Sequence, residues 1–307
     1  MRLFYYPLIF TLFLLWSTPC KTQATVSPVL YDSAGKLYLQ GFDGLPKTGS
    51  FSLTGKGPFN LSDNPIGANS CNGWQIMLYA GSNANAGFAV GTGSSTGNAI
   101  YSLGNTGSDE RALGSLSTGT AIYAMGLLFT NTSGQTFNSF QFSFTAEQWR
   151  KGGSANRNTW TFRYKTGSIT NINEQDLIND TSGNFSSAIN TSGGGALNGN
   201  LPDNRQTINC TIQNITWKPG DQLLLRWDDA DEPGSDDIVA IDDFQFMATR
   251  TSSRPEINDF TVSQLGSTQI SVSAGINDHF SDTYIRLEYD TSADFSHKKT
   301  ISHHQTQ

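Results

Sequence analysis

The sequence predicts an all-β sandwich, because both its composition and its periodicity favour strands. Gly, Ser, Thr and Asn are abundant, charged residues make up only 15% of the chain, and aromatic residues reach 11%. Apolar and polar residues alternate in the segments 140–144 and 160–164, and Leu223, Leu225 and Trp227 share the same period-two spacing. Such alternation is typical of strands that bury one face and expose the other.

Four further segments predict strands, namely 73–79, 121–130, 207–212 and 238–247. The first four residues of the last segment, Ile238 to Ile241, are apolar on both faces, which predicts a central strand covered on each side. Gly-, Ser- and Asn-rich segments at 81–107 and 181–204 separate the strands. Long loops often carry function, but we interpret these two as surface connections.

The N-terminus has the pattern of an export signal. Arg2 precedes an apolar stretch at 3–16, and Thr22-Gln23-Ala24 fits a signal-peptidase site. We therefore expect a signal peptide at 1–24, a mature chain beginning at Thr25, and a secreted or cell-surface location. A lipoprotein anchor at Cys20 is disfavoured, because no Gly or Ala stands directly before it. No later stretch approaches the roughly 18 apolar residues of a membrane helix, so no transmembrane segment is predicted.

The remaining chain divides into two predicted units. Residues 25–248 form the main sandwich, and the polar segment 249–256 is a linker. The segment 257–307 contains three strand candidates, around Phe260, Ile270 and Tyr284. It resembles the first part of a fibronectin type III or immunoglobulin-like domain, but about 50 residues are too few to complete one.

The charge and the histidine positions exclude several functions. A formal net charge of -7 argues against nucleic acid as a partner. Every histidine lies beyond the main unit, which excludes Ser-His-Asp, Cys-His and histidine-zinc sites within it. These residues are His279, His297, His303 and His304. Glu110 and Glu147 are carboxylates that glycoside hydrolysis could use, but the E-x-D-x-x-E signature of sandwich-fold glucanases is absent. We predict no catalytic residue and no enzyme in this segment.

The acidic segment 228–243 is a candidate structural Ca²⁺ site. Eight carboxylates and no Lys or Arg occur there, and Ca²⁺ prefers oxygen ligands. The segment is not an EF-hand, because Pro233 and Ala240 occupy two ligand positions. The alternative is a solvated acidic loop capped by its own side chains. The candidate ligands are Asp228, Asp229, Asp231, Asp236, Asp237 and Asp242.

Carbohydrate binding would use aromatic side chains, because sugar faces stack on aromatic rings. Trp74 and Trp149 lie near predicted strand ends and are the candidate ligand-binding residues, although packing in the core is the alternative for each. Cys71 and Cys210 remain after signal removal, and the sequence leaves open whether they form a disulfide.

Five segments together resemble an N-terminal module of secreted bacterial multidomain proteins. They are RALG (111–114), FTAEQWR (144–150), ITWKPG (215–220), LLRW (224–227) and GSDDIVAIDDF (234–244).

The resemblance covers about residues 38–248 and implies a jelly-roll, concanavalin-like sandwich. In its relatives the module precedes immunoglobulin-like domains, lamin-tail-like domains or an extracellular nuclease, and it brings no established activity. We therefore expect a secreted, non-catalytic binding, adhesion or display module, with polysaccharide or a cell-surface component as its partner. The alternative is an accessory module of a larger secreted hydrolase or nuclease whose catalytic domain lies outside this chain.

Overall fold

A computed structural model describes residues 27–250, 255–266, 268–278, 283–294 and 296–305. The predicted signal peptide at 1–24 and the lipid-anchor alternative at Cys20 lie outside these residues, as does the segment 251–254 of the predicted linker.

Two β-sheets form the main unit. Sheet 1 runs in the order β12-β11-β16-β9-β5-β4, with β1 beside β9 and β13 beside β11. Its strands are β1 (Val29–Tyr31), β4 (Phe59–Asn60), β5 (Trp74–Ala80), β9 (Ile122–Asn131), β11 (Thr159–Gly167), β12 (Ile178–Asn179), β13 (Phe185–Ser186) and β16 (Gln222–Asp229).

Sheet 2 runs in the order β14-β10-β17-β8-β7-β6-β3, with β15 beside β10 and β2 beside β17. Its strands are β2 (Tyr38–Gln40), β3 (Ser50–Leu53), β6 (Ala86–Gly91), β7 (Ala99–Leu103), β8 (Ala112–Leu116), β10 (Phe137–Gly153), β14 (Gly193–Ala196), β15 (Arg205–Trp217) and β17 (Ile238–Thr249). Short 3₁₀ helices occupy Thr181–Gly183 and Pro202–Asn204.

The aromatic side chains of both sheets meet in one core. Trp74 and Trp227 of sheet 1 stack with ring centroids 6.3 Å apart. Phe142 and Phe244 of sheet 2 pack edge-on against Trp227 at 5.5 and 6.0 Å. Burial of these large rings supplies most of the hydrophobic stabilisation of a sandwich. The predicted all-β, jelly-roll sandwich is therefore confirmed.

Each sheet also has a small apolar cluster on its outward face, covered by a loop. On sheet 1, Leu128 and Leu224 pack against Ile169 and Ile172 of the loop that follows β11. On sheet 2, Ile238 and Ala240 pack with Trp149 and Tyr101. Val239 and Ile241 face the main core, so the predicted two-sided burial of 238–241 is confirmed.

The segment 81–107 is not a surface connection throughout, and this prediction was wrong. It contains β6 and β7, which pair in parallel as inner strands of sheet 2. The segment 181–204 contains both 3₁₀ helices and the short strands β13 and β14. Both segments are rich in Gly, Ser and Asn, so their composition does not indicate strands. Their short strands form because of contacts with neighbouring strands in the fold.

The tail forms two antiparallel hairpins. One joins β18 (Glu256–Gly266) to β19 (Gln269–Asn277), and the other joins β20 (Thr283–Tyr289) to β21 (Lys299–Gln305). The three predicted strands are therefore present, together with β21, which the sequence did not indicate. The relation to a fibronectin type III domain stays a prediction.

Candidate functional site

The outward surface of sheet 2 is covered at one end and open at the other. The open end is formed by β2, β10, β15 and β17 and contains two shallow depressions of about 190 and 400 Å³. We call this surface the open face. Its outward side chains are Leu37, Leu39, Gln141, Ser143, Thr145, Thr207, Asn209, Thr211, Gln245 and Met247.

Strand periodicity and register together place these side chains on one surface. In β10, Phe142 and Phe144 point into the core, so Gln141 and Ser143 point outward. Ser143 lies opposite Asn209 of β15 on one side and opposite Gln245 of β17 on the other. Gln245 in turn lies opposite Leu39 of β2. Because neighbouring strands are about 4.8 Å apart, this row of four side chains crosses the sheet over about 14 Å.

The open face carries exposed polar side chains whose hydrogen-bonding groups are accessible to solvent. Gln141, Asn209 and Gln245 are exposed, and their side chains make no hydrogen bond within the described part of the chain. An amide offers both donors and acceptors, which matches the hydroxyl groups of a sugar. Leu37 and Leu39 add apolar surface to the open face, because they are 55% and 62% exposed.

Three carboxyl groups meet between the open face and the covered end of sheet 2. They belong to Glu110, just before β8, to Glu147 of β10 and to Asp242 of β17. One oxygen of each lies within 4.8 Å of one oxygen of the other two. We call these residues the carboxyl cluster. Within the described ranges it is the one convergent group of three or more His, Cys, Asp or Glu side chains.

Burial raises the pKa values of two carboxyl groups in the carboxyl cluster. It raises the pKa of Glu147 to about 7, although a hydrogen bond from the Trp149 indole opposes the shift. Burial also raises the pKa of Asp242 to about 9, and the neighbouring carboxylates of Asp243, Glu147 and Glu110 add to the rise. Glu147 is 2% exposed and Asp242 is 4% exposed, so a sugar ring cannot reach between them.

The two tryptophans predicted to bind ligand are fully buried. Trp74 packs in the main core, where its Nε1 donates to the Tyr38 hydroxyl at 3.1 Å. Trp149 packs in the outer cluster of sheet 2, and its Nε1 donates to Glu147 Oε2 at 2.8 Å. Neither ring presents a face to solvent, so the structure gives both the packing role that the sequence also allowed.

The acidic segment does not converge on one site. Asp228 accepts two hydrogen bonds from Arg226, while Asp237 contacts Lys151 Nζ at 3.0 Å. Asp236 accepts from the backbone N–H of Glu232 at 3.1 Å. These carboxylates are therefore compensated largely by protein cations and hydrogen-bond donors.

Two further aspartates of the segment have neighbours inside the protein. Asp229 accepts hydrogen bonds from Ser115 and Asn158, and its burial raises the pKa to about 6. Asp231 lies beside Asp236, whose pKa is raised to about 7 chiefly by burial. Of the six predicted metal ligands, Asp242 alone belongs to the carboxyl cluster. Glu110 and Glu147 were predicted in no metal site, because they come from segments that the sequence gives no reason to bring together.

Cys71 and Cys210 are both free and buried. Cys71 Sγ lies 3.6 Å from Gln40 Nε2, and Cys210 Sγ lies 3.0 Å from Ser182 Oγ. Burial raises the pKa of Cys71 to about 12 and that of Cys210 to about 11. The two thiols are therefore separate core groups with little thiolate character.

No family model matches this chain, and no curated protein matches it. Among solved structures, the enzymatically active domain of tailspike protein 4 of bacteriophage CBA120 is similar at a TM-score of 0.32 and 9% identity, covering 57% of this chain and 19% of that one. The Cry1Da tryptic core variant of Bacillus thuringiensis is similar at 0.28 and 13% identity, covering 50% of this chain and 21% of that one. The chain thus spans about a fifth of the length of both proteins.

A carbohydrate-binding module is also among the similar structures. The CBM22-2 xylan-binding domain of Xyn10C from Paenibacillus barcinonensis has a TM-score of 0.28 and 12% identity, with 65% of this chain and 99% of that one covered. Such low scores assign no ligand and no activity to this chain. In the described residues, no helix combines the length and apolar character needed to cross a bilayer.

Proposed function

We propose that this chain is a secreted polysaccharide-binding module and that the open face is its binding surface. The observation that carries the proposal is the row Asn209, Ser143, Gln245 and Leu39, which crosses four strands of a solvent-open sheet. Its three polar side chains have no hydrogen-bond partner among the described residues. A neutral ligand rich in hydroxyl groups suits such a surface, because every amide can both donate and accept.

The open face favours a neutral polymer over a charged one. No Lys or Arg is among its outward side chains, so an acidic polymer finds no cation there. Asp243 borders the larger depression and disfavours further negative charge. Binding would then rest on hydrogen bonds and on contacts with Leu37 and Leu39, without an aromatic stacking platform. Function as the accessory module of a larger secreted hydrolase or nuclease is compatible with the same surface.

Replacing two amides of the open face should weaken binding selectively. Because a hydrogen bond contributes about 0.5–1.5 kcal/mol, the double variant Asn209→Ala/Gln245→Ala should lose on the order of tenfold in affinity. The measurement is affinity electrophoresis of the full chain on a panel of neutral and acidic soluble polysaccharides. Both positions are exposed, so the melting temperature should not change.

A matched control carries the same kinds of change at exposed positions away from the open face. Gln175 lies in the loop before β12 and Asn179 lies in β12 of sheet 1, and Gln175→Ala/Asn179→Ala should bind as the parent does. If the parent is retarded by no polysaccharide, or if the two double variants bind equally well, the open face is not the binding surface.

A further inference from the structure

The carboxyl cluster contains three buried oxygens without hydrogen-bond partners. They are Glu110 Oε1, Glu147 Oε1 and Asp242 Oδ1. Leaving a buried acceptor unpaired costs about 1–3 kcal/mol, and more for a charged group. Such a group in a folded protein needs a physical explanation, and three in one cluster need a common one.

The other oxygens of the two glutamates are already held. Asn200 donates from Nδ2 to Glu110 Oε2, and Trp149 donates from Nε1 to Glu147 Oε2 at 2.8 Å. These donors orient each carboxylate, so that its second oxygen stays free. In metal sites, hydrogen bonds of this kind fix the ligands in position.

Among the described residues, no basic side chain forms an ion pair with Glu110, Glu147 or Asp242. Arg111 attracts Glu110 electrostatically but does not pair with it. The guanidinium of Arg111 instead donates to the side chain and the carbonyl of Ser102. Arg205 affects Glu147 only from an exposed position, whereas Asp243 adds a further negative charge.

We propose that Glu110, Glu147 and Asp242 bind one divalent cation, with Ca²⁺ as the preferred ion. Oxygens within 4.8 Å of one another can share an ion whose oxygen ligands lie about 2.3–2.6 Å away. An all-carboxylate set suits a hard cation rather than zinc or copper, which prefer nitrogen and sulfur ligands. Glu110 is only half-buried, so water can reach the ion and complete its coordination.

The cation would join β10 and β17 to the segment before β8, and so stabilise the covered end of sheet 2. This site differs from the acidic segment 228–243, with which it shares Asp242 alone. It is also independent of any polysaccharide, because the ion needs no ligand from the open face.

The test compares the metal responses of the full chain and four variants. After treatment with chelator, Ca²⁺ binding is measured by calorimetry and by the shift in melting temperature. The parent should bind one ion and melt at a higher temperature with Ca²⁺. Glu147→Gln and Asp242→Asn should each weaken Ca²⁺ binding by at least about tenfold. Asp236→Asn alters a buried aspartate of the acidic segment and should bind Ca²⁺ as the parent does.

The melting temperatures of the variants in chelator show whether the substitutions disturb folding. In chelator, Glu147→Gln and Asp242→Asn should melt no lower than the parent, because each amide matches the carboxyl group in size and can both donate and accept hydrogen bonds. Tb³⁺ in place of Ca²⁺ should emit when the tryptophans are excited, and Trp149→Phe should lower that emission, because Trp149 touches Glu147. No Ca²⁺ binding by the parent would overturn the proposal. So would loss of binding in Asp236→Asn with binding kept in Asp242→Asn.

Discussion

Replacing Arg226 with methionine should destabilise the main unit by about 3–5 kcal/mol. Arg226 is 1% exposed, and its Nε and Nη2 donate to the two oxygens of Asp228 at 2.6 and 3.1 Å. Its Nη1 donates to the backbone carbonyls of Ile172 and Glu174 at 3.1 and 3.3 Å. The substitution leaves Asp228 buried without its main partner and releases the loop that covers the outer cluster of sheet 1.

The neighbouring Arg163 is the matched control. It also contacts Asp228, with Nε 3.4 Å from Oδ2, but its side chain is 38% exposed. Arg163→Met should therefore cost less than about 1 kcal/mol. Chemical denaturation of both variants gives the comparison. Equal losses of unfolding free energy would show that burial of the Arg226–Asp228 pair does not decide its contribution.

Truncating Trp149 should also cost about 3–5 kcal/mol of stability. The ring is fully buried between sheet 2 and two loops, and a Cβ placed on Gly199 would stand 2.3 Å from its Nε1. Trp149→Ala leaves a cavity in the outer cluster and removes the donor to Glu147. Trp149→Phe should cost less, because it keeps most of the packing and loses only the donor and part of the ring.

Denaturation and polysaccharide retention should be measured together on these two variants. Any loss of retention in Trp149→Ala should follow the fraction of unfolded protein. A Trp149→Ala protein that is as stable as the parent but no longer binds polysaccharide would contradict the packing role and make the ring a stacking platform.

The sequence predicted the long strands well, because their alternation is a property of the chain itself. The phenylalanines of β10 and the residues of β11 alternate at period two, and the structure places them as expected. β16 departs from the prediction of one exposed face, because Leu224, Arg226 and Asp228 on its outward face are buried as well. The strands β6 and β7 were missed, because Gly- and Ser-rich segments look like loops until their neighbours in a sheet are known.

The candidate sites were harder to predict, because they depend on register between distant strands. Alternation indicated that Gln141 and Ser143 face solvent, but not that Asn209 and Gln245 lie beside them. The acidic segment was prominent in the sequence, yet most of its carboxylates have partners such as Arg226, Lys151 and Asn158. Glu110 and Glu147 lie far from the acidic segment in sequence, yet they form the convergent cluster with Asp242.

Blocking the open face with a covalent label tests its binding role most directly. In a Cys20→Ser background, Gln245→Cys places a thiol in the middle of the row, and a bulky neutral maleimide should modify it alone, because Cys71 and Cys210 are buried thiols with raised pKa. Asn179→Cys, exposed on sheet 1, is the control. We expect the label to abolish polysaccharide retention at position 245 and to leave it unchanged at position 179. Full retention by the protein labelled at position 245 would contradict binding at the open face.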